Sequence, residues 1–308
     1  METYNIYRDG EKIASGIEEK TYQDTGLSAN TEYEYQVSAE NEHGESDLSE
    51  VVVVTTDPIT VDSQESLKRA IDEADSGEVI ELADGFTMNQ HLDISKDIEI
   101  DGNNNVVTAD IESGESCFKI KGGANVAVKN LNVDLTGEGN RAFLLHSNAG
   151  NFAITDSSID GSDIGSDGHR GISSSPDSKG DIVIDNVEIS GMRTGVYRNG
   201  NQVTEINNTT FENNYRGMTI HGNIVPVLTN NTFTNNDGDI SADYDSEIKD
   251  EIAQEAENPD NNNMFDDDTP KYNWSTEEPT TTTTTTTEKP TTTTTTTESD
   301  DGDDGGDD

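Results

Sequence analysis

The stretch Ile184-Asp185-Asn186-Val187-Glu188-Ile189 begins with an aliphatic residue, has Asn at its third position and ends with an apolar residue. The same pattern, with Asn or Asp third, occurs at 128–133, 154–159, 184–189, 206–211 and 228–233. The third positions are Asn130, Asp156, Asn186, Asn208 and Asn230, spaced by 26, 30, 22 and 22 residues. Repeats of this length are typical of stacked structural units, so we predict one coil of a parallel β-helix for each copy.

Each predicted coil contains a bend and a further strand. The apolar positions of the repeat point inward, while Asn or Asp at the bend tolerates a left-handed backbone and can bond its counterparts in neighbouring coils. A small residue followed by an apolar one marks the further strand, at 142–144, 171–173, 195–197 and 217–219. Residues 86–123 are expected to add one or two further coils. The fold class is therefore all-β.

A helix is predicted ahead of the coils. Residues 62–65 form a capping box, and Leu67, Ala70, Ile71 and Ala74 lie on one face of a helix that ends near Gly77. Residues 78–85 then read as a strand and a turn. This helix and strand resemble the N-terminal cap of pectate-lyase-like right-handed β-helices, a resemblance that implies shielding of the first coil.

Residues 4–56 alternate in polarity between turn signals, which indicates short antiparallel strands. Residues 26–39, followed by Gly44-Glu45-Ser46, resemble a fibronectin type III domain and include that family's tyrosine corner. The resemblance covers the later strands only, because the first two strands and their tryptophan have no counterpart. We expect either that the chain is a fragment of a longer one or that another chain supplies the missing strands.

The repeat ends after Asn236. Residues 246–256 are predicted to form a short capping helix with Ile248 and Ile252 on one face, and from residue 258 the composition becomes polar and acidic with two threonine tracts. The predicted organisation is a partial fibronectin type III domain at 1–57, the β-helix with its caps at 58–257 and a disordered Thr-rich, acidic tail at 258–308. The tracts resemble O-glycosylated stalks of haloarchaeal surface glycoproteins, with a bare linker as the alternative. Of the sequons at Asn207, Asn208, Asn230 and Asn273, only Asn273 is expected to be accessible to glycosylation.

The chain carries 64 acidic and 18 basic residues, a net charge of −46. The predicted tail holds 14 acids and two lysines, which leaves −34 for the rest of the chain. Such a charge excludes nucleic acid and anionic membrane as default partners and indicates a halophilic source, because self-repulsion is screened only at molar salt. An acidic surface in a low-salt organism is the alternative. No apolar run reaches the ~18 residues of a membrane span, so direct membrane insertion is not expected.

Three of the seven arginines stand at the same place in successive coils. Arg141, Arg170 and Arg216 each precede the small-apolar pair of the further strand, and Arg193 is displaced by one residue in the remaining coil. We predict a stripe of guanidinium groups that binds carboxylated or sulfated sugars, with Tyr197 and His221 stacking or donating nearby. The alternative is that each arginine pairs with a surface carboxylate and needs no ligand.

The longest excursion between coils supplies the other candidates. Asp160, Asp163, Asp167, His169 and Arg170 are the residues that acid-base catalysis would use, and the three aspartates are a possible calcium site of hard oxygen ligands. A polar loop of an acidic protein contains such residues without any function. The paired aspartates and Gly-His-Gly element of related polysaccharide-cleaving families are not reproduced, since Asp167-Gly168-His169-Arg170 matches that element only in part.

These observations favour a non-catalytic extracellular protein over an enzyme. The predicted role is surface display or host attachment in a halophile, as a virion tail fibre or spike or as a cell-surface adhesin, resembling halophilic archaeal or archaeal-virus surface proteins. Its partners would be surface glycans or a host cell-surface glycoprotein, with a homotrimer or assembly into a virion as possible states. No cofactor is required, apart from the possible calcium. The alternatives are a polysaccharide lyase or glycoside hydrolase acting on an acidic glycan, which would also use Arg216 and His221, and a structural surface-layer component.

Overall fold

A computed structural model describes residues 2–163, 168–242, 246–266 and 270–274 of the 308-residue chain. The first strands form a five-stranded antiparallel sheet, in which β1 lies between β2 and β3 and both β4 and β5 pair with β3. The Ser28 backbone N–H donates to the Tyr33 hydroxyl at 3.0 Å. The bounds are β1 Thr3–Arg8, β2 Glu11–Ile17, β3 Glu32–Asn41, β4 Gly44–Glu45 and β5 Val52–Thr55.

The rest of the described chain is a parallel β-helix. A 14-stranded sheet contains the first two strands of each coil, and an eight-stranded sheet, ordered β27-β25-β22-β19-β17-β15-β12-β9, contains the third. The strands are β6 Ile59–Val61, β7 Glu78–Leu82, β8 Phe86–Met88, β9 Leu92–Ile94, β10 Ile98–Asp101, β11 Val106–Ala109, β12 Ser116–Ile120, β13 Val126–Lys129, β14 Asn132–Leu135, β15 Arg141–Leu145, β16 Phe152–Asp163, β17 Arg170–Ser174, β18 Ile182–Met192, β19 Thr194–Asn199, β20 Thr204–Asn207, β21 Thr210–Glu212, β22 Arg216–His221, β23 Val227–Thr229, β24 Thr232–Thr234, β25 Gly238–Ala242, β26 Met264–Phe265 and β27 Tyr272–Trp274.

The repeat found in the sequence sets the coil geometry. All five third positions adopt a left-handed backbone, with φ between 50° and 56°. Asn186 Nδ2 donates to Asp156 Oδ1 of the preceding coil at 2.7 Å, and Asn130 Nδ2 donates to Asp101 Oδ1 at 3.0 Å. The all-β prediction and the structural role of the bend residues are therefore confirmed.

Close packing explains the small residue at the start of each third strand. A Cβ added to Gly195 would lie 2.6 Å from the Gly217 carbonyl oxygen and 3.0 Å from Ile189 Cγ2. The space beside these positions is filled by a stack of aromatic rings, in which Phe211 and Phe233 are 4.8 Å apart at 10° between planes. A larger residue is thus excluded by the backbone of the next coil and by the core.

A helix covers the first coil, as predicted. α1 spans Gln64–Glu73 and buries Leu67, Ala70 and Ile71. Ser63 is its N-cap, and the reciprocal bond of the capping box comes from Ser66. The capping box was predicted one residue too early. The reason is that the hydroxyl of Ser66 accepts the Ser63 backbone N–H, a bond that a Glu or Gln side chain usually accepts.

The β-helix continues beyond the predicted boundary at residue 257. α2 spans Ser246–Ala256, and β26 and β27 then add one strand to each sheet. Asn262 Nδ2 donates to Asn230 Oδ1 at 3.1 Å, so the ladder of bend residues has a further member 32 positions on. The start of the tail at 258 is therefore too early; the inserted helix lengthens the spacing and hides the last repeat. Residues 275–308 lie outside the described part of the chain.

None of the described helices is long and apolar enough to cross a membrane. The single cysteine, Cys117, is fully buried in β12, and burial raises the pKa of its thiol to about 12. A thiol in this environment is unreactive near neutral pH, which fits the structural role of a small core residue.

Candidate functional site

The arginine row lies along the eight-stranded sheet. Parallel pairing places Ser116 opposite Arg141, Arg141 opposite Arg170 and Arg170 opposite Thr194. Val196 pairs with Met218, so Arg216 follows Thr194 in the same row, and Gly238 follows Arg216. We define the arginine row as Ser116, Arg141, Arg170, Thr194, Arg216 and Gly238. Two of its arginines are direct neighbours, whereas the third is two coils further along.

Aromatic side chains lie beside this row. The Arg170 guanidinium carbon lies 4.6 Å from the centroid of the Tyr197 ring, and the rings of Tyr197 and His221 are 4.9 Å apart at 52°. Because Tyr197 is opposite Ser173 and Asn199 is opposite His221, these contacts connect three successive coils. A guanidinium over an aromatic face is held in one orientation, which favours recognition of a planar anion.

Arg141, the neighbour of Arg170 in the row, is partly buried. Its Nη1 donates to the Gly114 carbonyl oxygen. Burial lowers the pKa of Arg141, and the nearby Glu115 carboxylate opposes that change. The guanidinium nevertheless remains charged at neutral pH, because an arginine pKa starts from about 12.5.

A groove lies between α1 and the coils that contain His91 and Glu115. Its volume is about 680 Å³, and its lining includes Lys68, His91, Asp93, Glu115 and Lys121. Glu115 directly precedes Ser116, the partner of Arg141, so groove and arginine row are contiguous. His91 Nδ1 is 3.6 Å from Glu115 Oε2, and Lys121 Nζ is 2.6 Å from Asp93 Oδ2. Sequence reasoning missed this groove, since its residues come from a helix and two separate coils.

The remaining predicted sugar contacts lie apart from the pair. The Arg216 guanidinium carbon lies 5.4 Å from the ring centroid of Tyr215, its neighbour in sequence. Arg193 stands outside the strands, immediately before Thr194, and its carbonyl accepts the Arg216 backbone N–H at 3.1 Å. The structure thus brings together Arg141, Arg170, Tyr197 and His221, and it places Arg193 and Arg216 at the edge of the same surface.

The predicted catalytic residues occupy different environments. Asp160 is exposed on the 14-stranded sheet, where it accepts a bond from Ser190 Oγ at 2.6 Å. His169 is fully buried, and its Nδ1 accepts the Asn140 backbone N–H at 3.1 Å. Arg170 belongs to the arginine row on the other sheet. The buried imidazole cannot touch a ligand at the surface, so these three residues do not form one site.

The calcium and glycosylation predictions fall largely outside what the structure covers. The side chain of Asp163 and the whole of Asp167 lie outside the described residues, as does the side chain of Asn273 in β27. Within the described ranges, no group of three or more His, Cys, Asp or Glu residues is arranged to hold a metal ion. A calcium site involving Asp160, Asp163 and Asp167 stays a prediction.

Comparison with known proteins adds evidence on the fold. A solved structure, the family 28 exopolygalacturonase of Yersinia enterocolitica, is similar with a TM-score of 0.28 and 10% identity, over 88% of this chain and 79% of that chain. A similarity of this size supports no argument about activity. A search of curated proteins found no match. Residues 170–251 match the family described as "Right handed beta helix region", so these coils form a right-handed parallel β-helix.

Proposed function

We propose that this protein is a non-catalytic surface-display or host-attachment protein that binds an acidic glycan on the outer face of its eight-stranded sheet. The observation that carries the proposal is the pair Arg141 and Arg170, side by side on adjacent coils, with Arg170 stacked over Tyr197. The two strands are ~4.8 Å apart, so both guanidinium groups would be able to reach one planar anion.

The charge balance supports an external partner for Arg141, Arg193 and Arg216. The chain has 64 acidic residues, so a surface arginine has many possible internal partners. Nevertheless, among the described residues, no carboxylate forms an ion pair with Arg141, Arg193 or Arg216. The alternative in which every arginine is neutralised by a neighbouring carboxylate therefore loses support. A carboxylate or sulfate of a sugar is the natural partner for such a group.

The shape of the surface favours a chain-like ligand. The arginine row runs from coil to coil, parallel to the β-helix axis. The groove toward α1 carries four acidic residues beside Lys68 and Lys121, so it adds no net positive charge to this line. A polysaccharide or an extended glycan laid along the row would meet guanidinium groups and the Tyr197 ring in turn. Tyr197 and His221 would limit access to one side of the row.

The proposed setting is outside the cell. A stiff β-helix would present the glycan-binding face, and the Thr-rich tail would space or anchor it, with glycosylation at Asn273 as a further part of the proposal. We favour a virion tail fibre or spike of a halophile, with a cell-surface adhesin as the alternative. The partner would be a surface glycan or a host cell-surface glycoprotein.

Matched ligands test the proposal directly. Binding of polygalacturonate is compared with that of its methyl-esterified form, and dextran sulfate with dextran, in ~3 M sodium chloride where long-range attraction is screened. The protein is the intact chain, an Arg141→Ala/Arg170→Ala/Arg216→Ala triple variant, or an Arg69→Ala control that removes an exposed charge from α1. Release of reducing ends is followed in the same wells.

We expect the intact chain and the Arg69→Ala control to bind the charged ligand of at least one matched pair, with no release of reducing ends. The triple variant should bind at least about 100-fold more weakly, since each charge-assisted bond contributes about 1.5–3 kcal/mol. The proposal would be contradicted if the intact chain bound the charged and uncharged forms equally. It would also be contradicted if the triple variant bound the charged form as tightly as the intact chain. Released oligosaccharide would replace it with the polysaccharide lyase or hydrolase alternative.

A further inference from the structure

Arg198 lies inside the β-helix, unlike the arginines of the row. Its exposed fraction is 1%, and it belongs to an inward-facing row of the eight-stranded sheet. In this row Leu145 pairs with Ser174, and Arg198 pairs with Ile220 on the next coil. A cation therefore stands between Ser174 and the apolar Ile220 in this row.

The guanidinium of Arg198 is only partly satisfied. Nη1 donates to the Gln202 carbonyl oxygen at 3.2 Å. Nε and Nη2 are buried and have no hydrogen-bond partner in the part of the chain that the structure describes. No described carboxylate forms an ion pair with it, and burial is the cause that lowers the pKa of Arg198 to about 10. The group thus stays charged at neutral pH, and a buried charge without a counter-charge is strongly unfavourable.

The surroundings of this cation are polar and small. Gln202 Nε2 donates to the Ser178 carbonyl oxygen at 2.6 Å, so Arg198 and Ser178 both bind Gln202. The hydroxyl of Ser178 is buried and, among the described atoms, has no partner. Ser174 takes the position that Leu145 holds one coil earlier, and its hydroxyl accepts the Asn199 backbone N–H at 2.9 Å. Unsatisfied polar groups of Arg198 and Ser178 therefore occur on consecutive coils, both beside Gln202.

We propose that a small monovalent anion, chloride under ordinary conditions, is bound inside the β-helix by Arg198 Nε and Nη2 and by the Ser178 hydroxyl. One negative charge compensates the one cation, whereas a water molecule would satisfy donors without neutralising charge. The site lies in the interior and is separate from the proposed glycan surface. It would connect the loops 175–181 and 200–203, which belong to consecutive coils, and so make their stability depend on halide.

Halide-dependent stability tests this site. Thermal unfolding midpoints of the full chain are measured as chloride rises from about 0.01 M to about 1 M, with gluconate replacing it at constant sodium. The variants are Arg198→Met, which keeps the length of the side chain without its charge, and Arg69→Met, which removes an exposed charge from α1. We expect the unaltered chain and Arg69→Met to gain about 3–5 °C for each tenfold rise above the dissociation constant, and Arg198→Met to gain none.

Crystals of the unaltered chain grown in sodium bromide give a second measurement, which holds even if Arg198→Met fails to fold. We expect anomalous scattering from bromide within hydrogen-bond distance of Arg198 Nε or Nη2. A chloride response that is equal in Arg198→Met and Arg69→Met would overturn the proposal. So would the absence of bromide scattering at this position, with water or protein atoms filling it.

Discussion

The N-terminal sheet and the β-helix bury apolar residues very differently. In the β-helix, Phe211 and Phe233 are 0% exposed, because each coil is covered by the coils on either side. In the five-stranded sheet, Val52, Val53 and Val54 are 58%, 51% and 47% exposed, while the polar Asn5 is 0% exposed. The difference teaches that strand-forming sequence alone does not build a core; a second layer must cover the sheet. One sheet of a two-layer sandwich would show this exposure if its second layer did not cover it. The pattern does not distinguish a fibronectin type III domain from other sandwiches, so that assignment stays a prediction.

The largest expected effect tests whether the two regions differ in stability. Phe233→Ala removes a ring stacked between Phe211 at 4.8 Å and Phe265 at 5.0 Å, and should lower the free energy of unfolding by about 3–5 kcal/mol. Val52→Ala in the N-terminal sheet should change it by no more than about 0.5 kcal/mol. Urea unfolding of the full chain measures both. Similar losses for the two variants would mean that the exposed valines are covered in solution.

An intermediate effect is expected at the bends, where backbone conformation and side-chain bonding contribute separately. Asn186 has φ of 55° and donates to Asp156 at 2.7 Å. Asn186→Ala and Asn186→Gly both remove this bond, but only alanine resists the left-handed backbone, at about 1–2 kcal/mol. Thermal denaturation should therefore find the glycine variant more stable than the alanine variant. The reverse order would show that the bend tolerates other conformations.

The smallest effect concerns pH and is local to the N-terminal sheet. Hydrogen bonds from Ser38, Tyr7, Asn5 and Lys12 lower the pKa of Glu45 from 4.5 to about 2. A lowered pKa means that the carboxylate stabilises the sheet above pH 4.5 and that this contribution is lost as the pH falls toward 2. Hydrogen exchange of amides in β1 and β3 should accelerate across this interval in the parent chain.

Glu45→Gln provides the matched comparison for that measurement, because it keeps the shape of the side chain but cannot titrate. The variant should lose most of the pH dependence in β1 and β3 while other acidic groups, such as Asp97 and Asp101, continue to titrate in the β-helix. If both proteins show the same pH profile in these strands, the bonds to Glu45 do not hold the sheet together.

Much of the architecture follows from local sequence. The repeat around Asn130, Asp156 and Asn186 predicts coils, because inward apolar positions and left-handed bends recur at fixed offsets. The offset of Arg141 and Arg170 from the small-apolar pair likewise predicts that they share a row. The last coil was not predicted from the sequence, because α2 separates Asn230 from Asn262 and lengthens the spacing of the repeat.

Whether a polar side chain is buried or exposed was decided only by the tertiary structure. His169 and Arg170 are adjacent in sequence, yet one is buried against Asn140 and the other stacks on Tyr197. Arg198 follows Tyr197 directly but points inward. Corners interrupt the alternation of inward and outward residues, and coils of unequal length shift which residues become neighbours. The sequence by itself therefore determined the repeat, the bends and the acidic character, whereas the tertiary structure decided which polar side chains face solvent, because that choice depends on register between coils.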